Sequence, residues 1–314
     1  MIGIADIEDA RRRIAGKVRR TPVAVLDQLK TPLPFERISL KLECLQVTGS
    51  FKARGAMNRV LATPPEQISN GIVTASGGNH GLAIARTSHA AGVPASIFVP
   101  SGVSPAKVEK MRAWGARVEI VGDAWEASNA AALAHSAKSG AIYIHPFADP
   151  LVVAGQGTLG LEILQDLPDI DTIVVAIGGG GLISGLGTAI RTRAPNVRVI
   201  GVEPTGSPTL KASLDAGRLV ALPKVTSRVP TMSCKMTDQR IFETVRDVVD
   251  EIILVEDEEM AESSRWLWFE MGVAADFAGA ASIAALRRRP ASLAGAGLIC
   301  ALICGAGAEG TATS

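Results

Sequence analysis

The sequence predicts an α/β protein built on two open, twisted, parallel-type sheets with flanking helices. Three observations carry this. A first run alternates strand and helix: 71–74 strand, 79–91 helix, 95–99 strand, 105–114 helix, 117–121 strand, 124–139 helix. A second run repeats the alternation: 155–167 helix, 172–177 strand, 182–193 helix, 197–202 strand, then 252–255 strand, helices at 258–271 and 278–288, and a last strand at 297–303. Such βαβα order implies parallel sheets with helices on their faces. Finally, Thr172 to Ile177 is a continuous apolar run, as expected of a strand covered on both faces.

Taken in order, Ile4 to Val18 has helical periodicity and stops before Thr21-Pro22, and Ile38 to Leu42 reads as a strand. From about 51 to 62 an amphipathic helix is expected, with Thr48 or Ser50 as its N-cap. The stretch from Pro204 to Pro230 reads as looser and Pro-rich. Each run holds enough strands for its own sheet, so a smaller domain is expected at residues 48–144, inserted into a larger one of 1–47 and 145–314. A cleft between two such sheets is where a ligand is expected.

Composition narrows the function classes. The 314 residues include 32 basic and 31 acidic side chains, net charge +1, with no long run of one sign, which argues against nucleic acid or an anionic membrane as partner. No apolar run is long enough to span a bilayer, and Met1 to Val18 is too charged for a signal core. The four cysteines, Cys44, Cys234, Cys300 and Cys304, have neither zinc-site spacing nor a disulfide pattern, so a cytoplasmic location is expected.

Chemistry concentrates in four places. Lys52 would lie in the first turn of its helix, where the helix dipole and burial beside Phe51 favour the neutral amine. A neutral amine attacks an aldehyde; the competing reading is a surface lysine. Ser76-Gly77-Gly78-Asn79-His80-Gly81 follows a strand and opens a helix, offering backbone donors, a hydroxyl, an amide and an imidazole to a carboxylate. A tight turn capped by Asn79 explains the same residues. Gly178, Gly179, Gly180 and Gly181 expose a row of N–H donors at a helix start, suited to a phosphate. A dinucleotide fingerprint with Glu203, or a close-packing turn, remains open there; the absence of Gly-Lys-Ser/Thr excludes a Walker loop. Cys304 ends the last strand, at the carboxyl end where such sheets bind ligands.

In combination, Ser50-Phe51-Lys52-Ala53-Arg54-Gly55-Ala56, the Ser76 loop, Gly155-Gln156-Gly157-Thr158, the tetraglycine and the strand ending at Cys304 resemble the fold-type II pyridoxal-phosphate enzymes. The likeness is to their threonine and serine dehydratase and serine racemase branch, and runs from Ile14 to Gly305. It implies the tryptophan synthase β-subunit-like fold, with pyridoxal 5'-phosphate in the interdomain cleft and a homodimeric assembly. No regulatory domain is expected after Ser314.

By the same resemblance, Lys52 would carry the cofactor as a Schiff base and move the substrate's Cα proton. Phe51 would pack beside the ring, Asn79 would bond its 3'-oxygen, and Gly178 to Gly181 would hold its phosphate. Ser76, Asn79 and His80 would hold the substrate carboxylate. Cys304 would face the pyridine nitrogen. A thiol of ordinary pKa, about 8.5, is mostly neutral there, which makes the ring a weaker electron sink and favours fast β-elimination.

Departures from the family sharpen the expectation. Gly77 stands where racemases place a serine as the base on the second face, so a dehydratase is favoured over a racemase. Glu203 matches one member of a cation-binding pair, but Thr209 replaces the other, which argues against a divalent cation. Pro230-Thr231-Met232-Ser233 and Asp276-Phe277 are unusual and expected at the rim of the site. The expected activity is an ammonia-lyase acting on an L-β-hydroxy amino acid, threonine or serine first. The alternatives are a serine racemase, a lyase for 3-hydroxyaspartate, phenylserine or an ectoine-derived compound, a cofactor- or amino-acid-binding sensor, and, most remotely, an NAD-dependent dehydrogenase.

Overall fold

The computed structural model describes residues 1–311, so the last three residues of the expected 145–314 span lie outside it. In chain order the elements are α1 (Ile4–Ile14), β1 (Val23–Val25), β2 (Arg37–Lys41), α2 (Lys52–Leu61), α3 (Pro65–Ile68), β3 (Ile72–Ala75) and α4 (Asn79–Ala91). There follow β4 (Ala95–Val99), α5 (Pro105–Ala113), β5 (Arg117–Ile120), α6 (Trp125–Ser139), β6 (Ile142–Tyr143), α7 (Pro150–Asp166) and β7 (Ile170–Ala176). The chain ends with α8 (Gly181–Arg193), β8 (Arg198–Pro204), α9 (Thr209–Asp215), α10 (Gln239–Val248), β9 (Glu251–Val255), α11 (Asp257–Met271), α12 (Phe277–Arg287) and β10 (Leu298–Leu302).

Among the described residues the strands form two sheets, one ordered β1-β2-β10-β7-β8-β9 and one ordered β5-β4-β3-β6. Every pairing is parallel except β1 with β2. Ile173, Val174 and Val175 of β7, with Ile299, Cys300 and Ala301 of β10, are fully buried, as central parallel strands covered by helices on both sides must be. A second core gathers Ile72, Ile84, Ile97, Val99 and Met111 under the smaller sheet.

Helix ends follow local chemistry. Asp149 caps α7 by accepting from Leu151 N–H at 2.8 Å, and Pro150 holds the first helical position. That cap starts the helix at Pro150, five residues ahead of the expected Gly155. Helices α4, α6 and α11 stop at Gly92, Gly140 and Gly272, each left-handed.

Two expectations are corrected. The region read as looser contains α9, and α10 lies just beyond it. The spacing of Ile241, Phe242, Val245 and Val248 after Asp238, whose carboxylate accepts from Arg240 N–H, is a helix signal in its own right. Neither Thr48 nor Ser50 caps α2. Phe51 occupies the cap position without a side-chain bond, and the turn is made by Thr48 and Gly49, at φ 65° and 86°. In place of a side-chain cap, Ala53 N–H donates to the Ser50 carbonyl at 3.4 Å and Arg54 N–H to the Phe51 carbonyl at 3.0 Å.

The approach of α2 to α7 sets the geometry between the sheets. A Cβ on Gly155 would stand 2.6 Å from Gly55 Cα, so the two helices touch backbone to backbone. The Gly155-Gln156-Gly157 motif is thus explained by packing.

Candidate active site

A cleft of about 1410 Å³ opens between the sheets and is lined by Phe51, Lys52, the Ser76 loop, the tetraglycine and Cys304. It lies at the carboxyl ends of β3, β7 and β10. All the sequence-derived site residues therefore come together: Phe51, Lys52, Ser76, Asn79, His80, Gly178, Gly179, Gly180, Gly181 and Cys304.

Backbone stitching aligns three of the walls. Phe51 N–H donates to the Cys304 carbonyl at 3.3 Å, Cys44 N–H to Ile303 at 2.8 Å, and Ala306 N–H to Gly49 at 2.8 Å. Ser50 pairs with Gly305, and Ala275 with Ala306, as isolated bridges. The segment after β10 thus lies between the Lys52 turn on one side and Asp276 on the other.

Lys52 Nζ donates to the Pro146 carbonyl at 2.7 Å and lies 5.1 Å from the centroid of the Phe51 ring. Burial lowers its pKa to about 8, against the opposing influence of Cys304 and Cys234. The direction expected from sequence holds, and its dominant cause is desolvation. A tenth or so of the amine is then neutral at pH 7, by about tenfold per pH unit.

Ser76 Oγ accepts from Gly78 N–H at 3.4 Å. Gly78, rather than Asn79, is the cap of α4, so the Asn79 amide is free of a capping role. Asn79 Nδ2 instead donates to Asp276 Oδ2 at 3.0 Å. His80 is buried with Nε2 3.3 Å from the Ile144 carbonyl, while Nδ1 has no partner within the protein. Burial, and then the charge of Lys52, push its pKa well below the ordinary value, so the ring is neutral.

The tetraglycine is a cradle that side chains would fill. Gly180 is left-handed at φ 88°, a Cβ on Gly178 would stand 2.6 Å from the Thr231 carbonyl, and one on Gly179 would stand 2.3 Å from the Phe147 ring. Cys304 is buried; burial first, and Asp276 next, raise its thiol pKa well above the usual value. The thiol is thus neutral with a wider margin than an ordinary cysteine would have.

Asp276 is not at the rim. It is 6% exposed, caps α12 by accepting from Gly279 N–H at 2.6 Å, and burial raises its pKa. Sequence reasoning missed its link to Asn79, and also missed Pro146, Cys234 and the rings at Trp125, Tyr143, His145 and Phe147, all in the cleft wall. The only signal for the rings was their clustering in an aromatic-poor chain.

Gly77 faces Val103: a Cβ there would stand 2.1 Å from Val103 Cγ2. A serine side chain at this position would require Val103 to move. Glu203 lies away from the cleft lining, and its two oxygens accept from Leu210 N–H at 2.8 Å and Lys211 N–H at 2.9 Å. Burial raises its pKa to about 7. Among the described residues no three His, Cys, Asp or Glu side chains gather to hold a metal ion.

The residues present fit pyridoxal phosphate: an amine of lowered pKa, a glycine cradle at a helix start, and a buried His80 nitrogen without a partner. Comparison with known proteins agrees. A family model described as "Pyridoxal-phosphate dependent enzyme" matches residues 14–305. An L-threonine ammonia-lyase of Geobacter sulfurreducens is 41% identical over 290 residues, 92% of this chain and 72% of the relative. The solved structure of maize serine racemase superposes with TM-score 0.92 at 32% identity, covering 97% of this chain and 93% of that one. The solved structure of a threonine deaminase from T.th. gives TM-score 0.91 at 34% identity, covering 97% of this chain and 98% of that one.

Proposed function

Since the chain belongs to the pyridoxal-phosphate-dependent enzyme family, we propose that it is an ammonia-lyase converting an L-β-hydroxy amino acid, threonine first, to a 2-oxo acid and ammonia. The observation that carries elimination rather than racemisation is that Lys52 lines the cleft while Gly77 offers no side chain there and stands against Val103.

Pyridoxal phosphate, when bound, supplies the electron sink for the Cα–H bond. The chain's residues do the rest. Lys52 would hold the cofactor through its amine and would serve as the base for the substrate's Cα proton. The amides of Gly178 to Gly181 hold the phosphate at the start of α8. Asn79, its amide held by Asp276, lines the cleft and has a second Nδ2 proton that would serve the ring's 3'-oxygen. Ser76 Oγ and the first-turn amides of Asn79 and His80 receive the substrate carboxylate. The His80 ring, its Nε2 turned toward the Ile144 carbonyl, keeps Nδ1 without a protein partner for a group bound in the cleft. Phe51 and Cys304 would border the bound ring, and the neutral Cys304 thiol would offer its nitrogen no negative charge.

The test is direct. Protein saturated with cofactor should show the absorbance band of the lysine-bound form and release 2-oxobutanoate and ammonia from L-threonine. A band without release of a 2-oxo acid from threonine, serine or another β-hydroxy amino acid would leave only a binding role.

With L-serine, pyruvate should accumulate and D-serine stay below detection by chiral chromatography. Sustained D-serine formation would show a second base or an ordered water in that role, and would defeat the argument from Gly77.

The same proposal includes a smaller domain at residues 48–144, supported by β3 to β6, which lie within it. It also includes a homodimer in the cytoplasm. No helix of the described residues is long and apolar enough to cross a membrane, and the four cysteines are free thiols, suited to a reducing compartment. Light scattering on the eluted protein should give twice the 32.6 kDa of the chain; a monomer mass would remove the dimer from the proposal.

A further inference from the structure

One wall of the cleft is built from rings. Aromatic side chains are scarce, with four Trp, one Tyr and seven Phe in 314 residues, yet Trp125, Tyr143 and Phe147 stand together here around His145. The His145 ring meets Phe147 at 4.5 Å between centroids and 89°, Tyr143 at 6.2 Å and 71°, and Trp125 at 6.4 Å and 72°, all edge-to-face. This is the preferred geometry of aromatic pairs.

The wall is held rigidly. Trp125 Nε1–H donates to the Ala75 carbonyl at 3.0 Å, beside the Ser76 loop, and Tyr143 Oη donates to Asn129 Oδ1 at 2.5 Å. His145 Nδ1 accepts from Phe147 N–H at 3.2 Å and Ala148 N–H at 3.0 Å, so its proton sits on Nε2. Burial first, and the charge of Lys52 next, lower the His145 pKa to about 4, leaving a neutral ring. Phe147 packs beneath Gly179 and Gly181. The rings thus run from the carboxylate loop to the phosphate cradle, along the side of the cleft that also holds the Lys52 amine.

The rings do not cover one another completely. Trp125 is 38% exposed, and Tyr143, His145 and Phe147 are half-buried. The cleft, of about 1410 Å³, has to hold the cofactor as well as the substrate. Rings that line the cleft can offer edge-to-face contacts to an aryl group, which a methyl group cannot use.

From this geometry we infer that the enzyme accepts β-aryl β-hydroxy amino acids, the aryl group docking on the Trp125–Tyr143–His145–Phe147 wall. The inference rests on the ammonia-lyase reading and names a further substrate class for the same site. The chemistry balances without any added reactant. The Cα proton goes to Lys52, the Cβ–O bond breaks and its oxygen leaves as water, and hydrolysis of the released enamine's imine tautomer returns one water, giving an aryl 2-oxo acid and ammonia.

The experiment uses cofactor-saturated enzyme with L-threo-3-phenylserine and L-threonine, in wild type, Trp125→Ala and Trp125→Phe. Phenylpyruvate should be released, with a KM about tenfold below that for threonine. Trp125→Ala should lower the ratio of kcat/KM for phenylserine over threonine about tenfold through KM, and Trp125→Phe should restore it. L-Phenylalanine, which has no β leaving group, should inhibit threonine turnover more tightly than L-alanine does. Turnover of threonine without phenylpyruvate, or an equal change for both substrates in Trp125→Ala, overturns the inference and leaves the lyase reading standing. No 2-oxo acid from either substrate, with the cofactor band present, brings down the lyase reading and the inference with it.

Discussion

Lys52→Ala should abolish 2-oxo acid release, lowering kcat by at least about 10⁴-fold, the scale seen when a group that serves as both nucleophile and base is removed. The absorbance band of the lysine-bound cofactor should vanish with it. The fold should survive. In the folded protein burial holds the Lys52 pKa at about 8, below its ordinary value, so the charged amine opposes folding at neutral pH and that cost is relieved as pH rises through about 8 to 10.5. Deleting the amine removes the cost, and the melting temperature of the apo variant at pH 7 should be no lower than that of wild type. The same pKa sets the pH dependence of cofactor capture by wild-type apoenzyme. Its rate should rise about tenfold per unit below pH 8 and level off above, as the neutral amine becomes the dominant form. A rate flat from pH 6 to 9 would mean that the amine is not the titrating group. A variant that keeps the band and the activity would remove Lys52 from the site altogether.

How far this centre could be read from sequence depended on distance along the chain. Lys52, the Ser76 loop and the tetraglycine were legible because each is a local strand-to-helix or turn-to-helix junction whose donors come from consecutive residues. The parallel sheets were legible because β7 and β10 are apolar on both faces. The link of Asp276 to Asn79 was not legible. The two are 197 residues apart, and the pairing of 274–276 with the segment after Cys304 brings the carboxylate to the amide. The aromatic wall was hidden for the same reason, since Trp125 opens α6 while His145 and Phe147 occupy a connection with no periodicity of its own. The edge strand β1 is three residues long and pairs antiparallel, too short to leave a pattern. Gly77 could be read as the loss of a hydroxyl, but that Val103 fills the space it left is a tertiary fact.

Arg54 offers the largest expected change in stability, and it lies two residues from Lys52 on the same helix. Its guanidinium grips Glu43 twice, Nε to Oε2 at 2.8 Å and Nη2 to Oε1 at 2.7 Å, and reaches Glu162 Oε2 of α7 at 2.9 Å. Lys41 of β2 joins the cluster, donating to Glu162 Oε1 and to Asp166 Oδ2, each at 2.7 Å. Arg54 is 2% exposed and Glu43 fully buried, so removing the cation strands a carboxylate in the interior. Arg54→Ala should therefore destabilise the protein by about 3–5 kcal/mol, which for a chain of this size lowers Tm by roughly 5–15 °C. Acid should narrow the difference. Burial alone would raise the Glu162 pKa, but the hydrogen bonds and charge of Arg54 and Lys41 outweigh it and hold the pKa below its ordinary value. The stability this contributes is present above the unfolded carboxyl pKa, about 4.3, and is lost as pH falls through the lower folded value. Without Arg54 much of that contribution is already gone, so the Tm gap between wild type and variant should shrink as pH drops below about 4. Because the network clamps α2 to β2 and α7, the variant should also bind the cofactor more weakly at temperatures where it is still folded, through a misplaced Lys52 turn. A Tm within about 2 °C of wild type at pH 7, where about 1 kcal/mol would go undetected, would mean that water enters to solvate Glu43 and that backbone packing at Gly55 and Gly155 alone holds the catalytic helix.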